Sequence, residues 1–354
     1  MVDWYSTMDQ TYEFYVVDPA TWKDKFILNT ITSCTINRDL SVDTLGSATI
    51  ESTEVLDECY VRAYLVVIQN GVKTRVPLGT FLVQTPSVNH DGKNILVTLD
   101  GYTPLIELKG TCPPIGYTIR KGDDVTIMAI SSRLCEENLR APVVAISTEK
   151  MLEKDFISNL NDTWMSFLKD LIAIAKYQFS LDEMGRVIFE PVVDVRSLRP
   201  VWTYTDDNSS ILYPNISNER DLYSVPNVVE VVYSTGNGYR TSRIVNDDPN
   251  SPVSTVNRGR EVLYRDTNPN FSGVPTQRDL DEYAKQLLRS LSSVEHTITY
   301  THGYCPVRIG DCVLINSKRY GLENVKAKVI SQSIECETGC PVEETATYTT
   351  KLWG

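Results

Sequence analysis

Three histidines, eight cysteines and several adjacent carboxylates are the residues of this chain that could do chemistry. Each set has a specific test to pass. His90, His296 and His302 would serve as metal ligands or general bases. None lies in an H-E-x-x-H pattern or beside a nucleophile in a known local motif. His296 and His302 stand six apart, flanking an extended run; on a strand they share one face but lie about 20 Å apart, too far for one metal ion. Carboxylates recur as neighbours at Asp123-Asp124, Asp206-Asp207 and Asp247-Asp248. Glycoside hydrolysis needs two carboxyls about 5–9.5 Å apart across a cleft, yet each of these pairs falls where a helix cap or a turn explains it.

The cysteines are Cys34, Cys59, Cys112, Cys135, Cys305, Cys312, Cys336 and Cys340. Cys336 and Cys340 form a C-x3-C without a second pair or a nearby histidine, which falls short of a zinc site. The other spacings are scattered, so all eight are read as reduced thiols. Gly236-Asn237-Gly238 lacks the following Lys-Ser/Thr and helix of a phosphate loop, and no nucleophile elbow or dinucleotide fingerprint occurs. Trp4, Trp22, Trp164, Trp202 and Trp353 are spread along the chain and read as packing residues rather than a sugar platform. No catalytic, cofactor-binding or metal-binding residue is expected, and the chain reads as a non-enzyme.

The 354 residues suffice for two or three domains. Apolar residues make up 42% and charged residues 23%, which excludes disorder as the dominant state. The net charge of −12, with no basic stripe, argues against specific nucleic-acid binding. The longest apolar stretches fall far short of the roughly 20 residues of a membrane span, so membrane insertion is not expected. The N-terminus lacks the positive start and apolar run of a secretory signal. Nineteen tyrosines with abundant Thr and Val favour β-structure.

The elements follow from periodicity. Up to about Leu108 the chain reads as strands, with a hairpin of Ala63–Ile68, a Gln69-Asn70-Gly71 turn and Lys73–Val76, continued by Leu78–Gln84 and Asn94–Leu99 around His90-Asp91-Gly92. Asp123 or Asp124 can cap a helix from Val125 to Asn138. Asp162 can cap a second, whose Trp164, Phe167, Leu168, Leu171, Ile172 and Ala175 form one apolar face. Burying its five large members contributes on the order of 10 kcal/mol before entropy. A Tyr177–Leu181 and Arg186–Glu190 hairpin follows, turning at Asp182–Gly185. Strands return at Val228–Ser234 and Tyr239–Val245, then a loop rich in Asn, Asp and Pro (Asn246–Pro252). A third helix starts at Thr276, with Asp279 at capping-box spacing and Leu280, Tyr283, Ala284, Leu287, Leu288 and Leu291 on its apolar face. Thr297–Thr301, Arg308–Asn316, Ala327–Cys336 and Glu344–Leu352 give four more strands.

Residues 63–83 and 229–244 share one plan: alternating strand, Asn-Gly turn, basic return strand. Val76–Phe81 is likewise echoed by Val307–Cys312. Two related β-domains would produce this, and so would any two hairpins.

The order of these elements resembles the trimeric baseplate hub proteins of phage tails. Asp162–Leu171, running to Gly185–Pro191, is similar to the helix–hairpin unit of that family's inserted domain. Pro226–Val231 with Asp248–Pro252 resembles the opening of its second tube domain, and Thr301–Pro306 with Ile309–Asp311 and the strands to Trp353 its C-terminal half-barrel. The resemblance implies an α+β, mainly β fold: two related antiparallel β-barrel tube domains with inserted α/β domains. These would be residues 1–110 (first tube domain), 111–205 (α/β insert), 206–245 with 295–354 (second tube domain) and 246–294 (inserted loop and helix). It implies a structural hub, a homotrimer whose pseudo-six-fold ring adapts a hexameric tail tube to a trimeric central spike and lets DNA pass. Partners would be the tail tube or distal tube protein, the spike, and tape measure and baseplate wedge proteins. The location would be the virion tail baseplate, after assembly in the host bacterial cytoplasm. A tail-associated cell-wall hydrolase and a carbohydrate-binding tail adhesin are the alternatives. Little follows the last strand, so a hydrolase module is expected on a separate protein.

Overall fold

Strand makes up 45% and helix 16% of the computed structural model, which makes the fold mainly β, of the α+β class, with antiparallel sheets. The structure describes residues 2–353 except 91, 93, 94, 123, 124, 208, 209, 235–237 and 272. In chain order the elements are β1 (Asp9–Val17), β2 (Asp24–Leu28), β3 (Ile31–Asp39), β4 (Gly46–Ser52), β5 (Cys59–Gln69), β6 (Val72–His90), β7 (Ile95–Tyr102) and α1 (Ile106–Gly110). Next come β8 (Thr118–Ile119), α2 (Ile127–Asn138), β9 (Phe156–Ile157), α3 (Trp164–Ile174), β10 (Tyr177–Leu181), β11 (Val187–Pro191), β12 (Trp202–Thr205) and β13 (Leu212–Arg220). The rest are β14 (Val228–Ser234), β15 (Tyr239–Val245), α4 (Thr255–Arg258), β16 (Leu263–Asp266), α5 (Gln277–Leu291), β17 (Ser293–Gly303), β18 (Cys312–Ser317), β19 (Leu322–Glu335) and β20 (Pro341–Lys351). The chain forms two units, 1–215 with 300–345 and 216–299 with 346–354.

In the first unit, β5 and β6 form the expected hairpin, with Asn70 at φ 51° and Gly71 at φ 78°, the pair of positive values a type I′ turn demands. The sequence suggests a break at Pro77, but β6 runs unbroken for 19 residues. Pro77 sits beside the β-bulge at Ala63/Tyr64, where the regular ladder is interrupted. Inward residues of the first group's strands meet in one apolar core, among them Phe14 of β1, Ile36 of β3, Ile50 of β4, Leu65 of β5, Phe81 of β6 and Leu99 of β7, joined by Ile334 of β19 and Val342 of β20.

A second strand group repeats this plan. The first is ordered β3-β4-β7-β6-β5-β1 and the second β13-β17-β20-β19-β18-β12, so each strand of one has a counterpart in the other. The last pairing differs in sense: β1 is antiparallel to β5, whereas β12 is parallel to β18. β19 joins the groups by pairing with β18 in its first half and β3 in its second. Three strands of the second group, β13, β17 and β20, have residues in both units.

This repeat is not the echo expected from the sequence. β14 and β15, the hairpin matched there to residues 63–83, belong to a separate three-stranded sheet with β16 in the second unit. The counterpart of β5–β6 is β18–β19. Residues 307–312 lead into β18 instead of forming a return strand. A hairpin's alternation and turn are local signals, and its place in a sheet is not.

Between the groups lies an α/β segment with its own core, in which α3 buries Trp164, Phe167, Leu168, Leu171 and Ile172 against α2 residues such as Ile127 and Leu134. The cap of α3 is Thr163 rather than Asp162: its hydroxyl accepts from Ser166 N–H at 3.2 Å, and Ser166 Oγ accepts from Thr163 N–H at 3.1 Å. The cap of α2 is Thr126, while Asp123 and Asp124 lie outside the described residues. In the second unit α5 has the expected capping box of Thr276 and Asp279, and lays Leu280, Ala284 and Leu288 on Val229 and Val231 of β14.

Candidate functional site

Among the described residues the histidines and the adjacent carboxylates singled out by type form no common cluster, whereas Cys305 meets His302 and Cys336 meets Cys34. The side chain of His90 lies outside the described residues, as do Asp91, Gly236 and Asn237 of the expected turns. His296 stacks on Tyr348 with ring centroids 4.4 Å apart and bonds Thr350 Oγ1 at 2.9 Å; burial, with Arg220 nearby, moves it below the ordinary imidazole value. Asp206 accepts from Ser317 Oγ at 2.9 Å and Arg319 N–H at 3.1 Å, a turn-closing role. Asp248 accepts from Asn250 N–H at 2.9 Å in the same manner. All eight cysteines are free thiols. Among the described residues no group of His, Cys, Asp and Glu could hold a metal ion. Trp4 packs edge-on to Tyr304, Trp164 lies in the α/β core, and Trp202 stacks on Tyr5.

His302 is different. Alternation along β17 turns Tyr300 and His302 inward, and β12, β19 and β20 bring Tyr204, Gln332 and Glu344 to meet them. His302 Nε2 lies 3.5 Å from Glu344 and 3.1 Å from the Tyr204 hydroxyl, and both His302 and Glu344 side chains are 0% exposed. Glu344 also accepts from Gln332 Nε2 at 2.7 Å and from the Tyr300 hydroxyl. Burial alone would lower the His302 pKa. Hydrogen bonding and charge from Cys305 and Glu344 outweigh it and raise the pKa to about 10. His302 therefore keeps its proton near neutral pH. Acid–base groups in contact could move a proton, but sealed from solvent they meet no substrate. The sequence held one clue, since Tyr300 and His302 sit at alternate positions on a strand whose other face is half-exposed.

The β10–β11 turn is the second feature that sequence reading passed over. Glu183 takes a two-pronged bond from Arg308, at 2.6 and 2.5 Å, and lies 4.0 Å from Arg38 of β3. Burial opposes its charge, but the two guanidiniums hold the carboxyl below its ordinary value. Next to it, the Met184 carbonyl accepts from Trp22 Nε1 at 2.7 Å and from Arg62 at 3.1 Å. Arg62 is fully buried and also donates to Asp24 at 2.6 Å and Thr80 at 2.9 Å. Gly185 closes the turn at φ 74°, where a Cβ would stand 2.7 Å from Thr80 Cβ. One turn thus joins β3 and β5 of the first strand group to the segment that leads into β18. The cavity beside it, lined by Arg38, Leu78, Phe81 and Glu183, has about 50 Å³, room for one or two waters and not for a sugar.

No protein-family model matches the chain, and no curated protein is similar to it in sequence. Solved structures are similar to it in fold. The tail protein from Neisseria meningitidis MC58 superposes with a TM-score of 0.60 at 13% identity, over 97% of this chain and 98% of that one. The 43 kDa tail protein of prophage MuSo2 from Shewanella oneidensis gives 0.58 at 12% identity, over 95% and 97%. The fold is that of phage tail proteins. A chain of the Francisella PdpA–VgrG complex follows at 0.52 and 10% identity, covering 97% of this chain and 57% of its own.

In this tail-protein fold β2 ends the pairing order on one side. Its outer edge has no strand partner among the described residues, and Phe26 and Ile27 stand 51% and 40% exposed on it. Lys25 between Asp24 and Phe26 is the charge that an exposed edge carries to discourage indiscriminate pairing.

Proposed function

We propose that this chain is a structural protein of a phage tail, a baseplate hub that assembles as a homotrimer at the end of the tail tube. The duplicated strand order carries the reading. Three copies would set six similar β repeats around one axis while keeping three whole subunits, which is a symmetry adaptor between a six-fold tube and a three-fold spike. The tube domains would be the two strand groups, and the α/β segment and the α5 sheet their insertions. Tail tube or distal tube protein would dock on the pseudo-six-fold side and the central spike on the other, with tape measure and wedge proteins as further neighbours. A net charge of −12 would let DNA pass without adhering. No catalytic residue, cofactor or membrane insertion enters this role. The protein would act in the virion tail baseplate after assembly in the host cytoplasm.

Light scattering with cryo-EM of the purified chain tests the proposal. A three-fold ring showing six β repeats is the expected result. A monomer at every concentration, with no affinity for tube or spike proteins, would remove the hub reading. Release of fragments from purified peptidoglycan would replace it with a hydrolase.

A further inference from the structure

Cys34 and Cys336 are 302 positions apart in sequence, yet the pairing of β3 with β19 makes them opposite neighbours. Its register runs Ser331↔Asp39 to Glu335↔Thr35. The next pair is Cys336 and Cys34, and the Cys336 N–H does donate to the Cys34 carbonyl at 2.9 Å. Directly opposite residues of an antiparallel pair present their side chains on one face, with Cα atoms about 5.5 Å apart in a hydrogen-bonded pair. A disulfide spans Cα atoms about 5.5–6 Å apart. Two positions along, Ile36 and Ile334 are likewise opposite, and both point into the apolar core. Cys34 is buried in that core and Cys336 packs against it, so the two thiols share its face.

We propose that Cys34 and Cys336 are a redox-responsive pair, which a low-molecular-weight disulfide converts to a cross-strand bond clasping the first strand group to the second. The geometry orders the two steps. Cys336 is the less buried of the two and borders an open cleft of about 400 Å³ lined by residues such as Tyr12, Phe14 and Ile31. Its thiolate attacks one sulfur of glutathione disulfide, forming a mixed disulfide and expelling one glutathione thiolate. The buried Cys34 thiolate then attacks Cys336 Sγ and expels the second. Two electrons pass from the protein to glutathione, and the two thiol protons end on the two glutathione molecules released. Contact with Cys34 and burial raise the Cys336 pKa, which makes the first step slow at neutral pH and faster as pH rises. Cys340 is the nearer cysteine in sequence, but it lies beyond the turn closed by Cys340 N–H to the Glu337 carbonyl and faces Tyr12. This inference is independent of the assembly reading, since it concerns one chain.

The test incubates the intact chain in graded ratios of oxidised to reduced glutathione at pH 8, then traps thiols with iodoacetamide and maps peptides by mass spectrometry. A cross-linked peptide pair holding Cys34 and Cys336 is expected, with thermal unfolding about 5 °C higher and the shift reversed by dithiothreitol. Cys336→Ser should abolish link and shift together, and Cys340→Ser should leave both. Exposed Cys112 reports that the oxidant is active. Glutathionylated Cys112 without a Cys34–Cys336 link, a stable mixed disulfide on Cys336, or a Cys336–Cys340 link would each overturn the proposal.

Discussion

The two strand groups share one spatial order and fill it with opposite chemistry. The first closes on Ile36, Ile50, Leu65, Phe81 and Leu99, an apolar core. The second turns Tyr204, Tyr300, His302, Gln332 and Glu344 inward and joins them by hydrogen bonds and a close His302–Glu344 contact. An apolar core loses stability in proportion to the volume removed. A buried polar cluster fails when one partner goes, because the others are left unsatisfied. Strand order therefore does not dictate interior chemistry, and the two halves should respond differently to truncation and to pH.

Glu344→Ala should have the largest effect, about 4 kcal/mol, because it leaves His302, Tyr300 and Gln332 without their shared acceptor in a site without solvent. Its pH signature is distinctive. The folded His302 pKa, raised to about 10 from an ordinary 6.5, gives stability that is fully present below pH 6.5 and lost as pH rises through 10. Urea midpoints measured from pH 7 to 10 should therefore fall more steeply for the native protein than for Glu344→Gln. Leu65→Ala comes next, at about 3 kcal/mol, with the native pH slope retained. If both variants changed that slope alike, the contrast between the halves would be wrong.

Two changes in one turn sharpen the comparison. Gly185→Ala should cost about 2 kcal/mol, from its φ of 74° and the clash with Thr80, and should raise hydrogen exchange in β5 and β6 first. Glu183→Gln should cost only about 1 kcal/mol, since Arg308 is 40% exposed and water screens the pair. The Glu183 carboxyl is held below its ordinary pKa of 4.5, so that contribution is present above pH 4.5 and lost as pH falls through the lowered value. Native and Glu183→Gln midpoints should thus converge in acid.

Much of the fold was legible at the level of single elements. The Asn70-Gly71 hairpin, the apolar face of α3 and the Thr276–Asp279 box all stand where the pattern put them, because each depends on residues a few positions apart. The caps of α2 and α3 were misplaced by one to three residues, since Asp, Thr and Ser compete for the same role. The β13 strand went unread: its sequence, LYPNISNER, is polar and mostly exposed, and it is a strand only because β17 pairs with it. The candidate site was least legible of all. Tyr204, His302, Gln332 and Glu344 come from four strands, and nothing near any of them announces the others.

By itself the sequence settled local periodicity, the tight turns, the helix faces and a mainly β composition, since these follow from side-chain spacing and backbone preferences within a few residues. Only the tertiary structure decided which strands are neighbours, that β18–β19 rather than β14–β15 repeats β5–β6, and that Cys336 faces Cys34. The physical reason is that ladder hydrogen bonds are made by backbone groups common to every residue. The choice among pairings rests on how distant side chains pack once the sheet has formed.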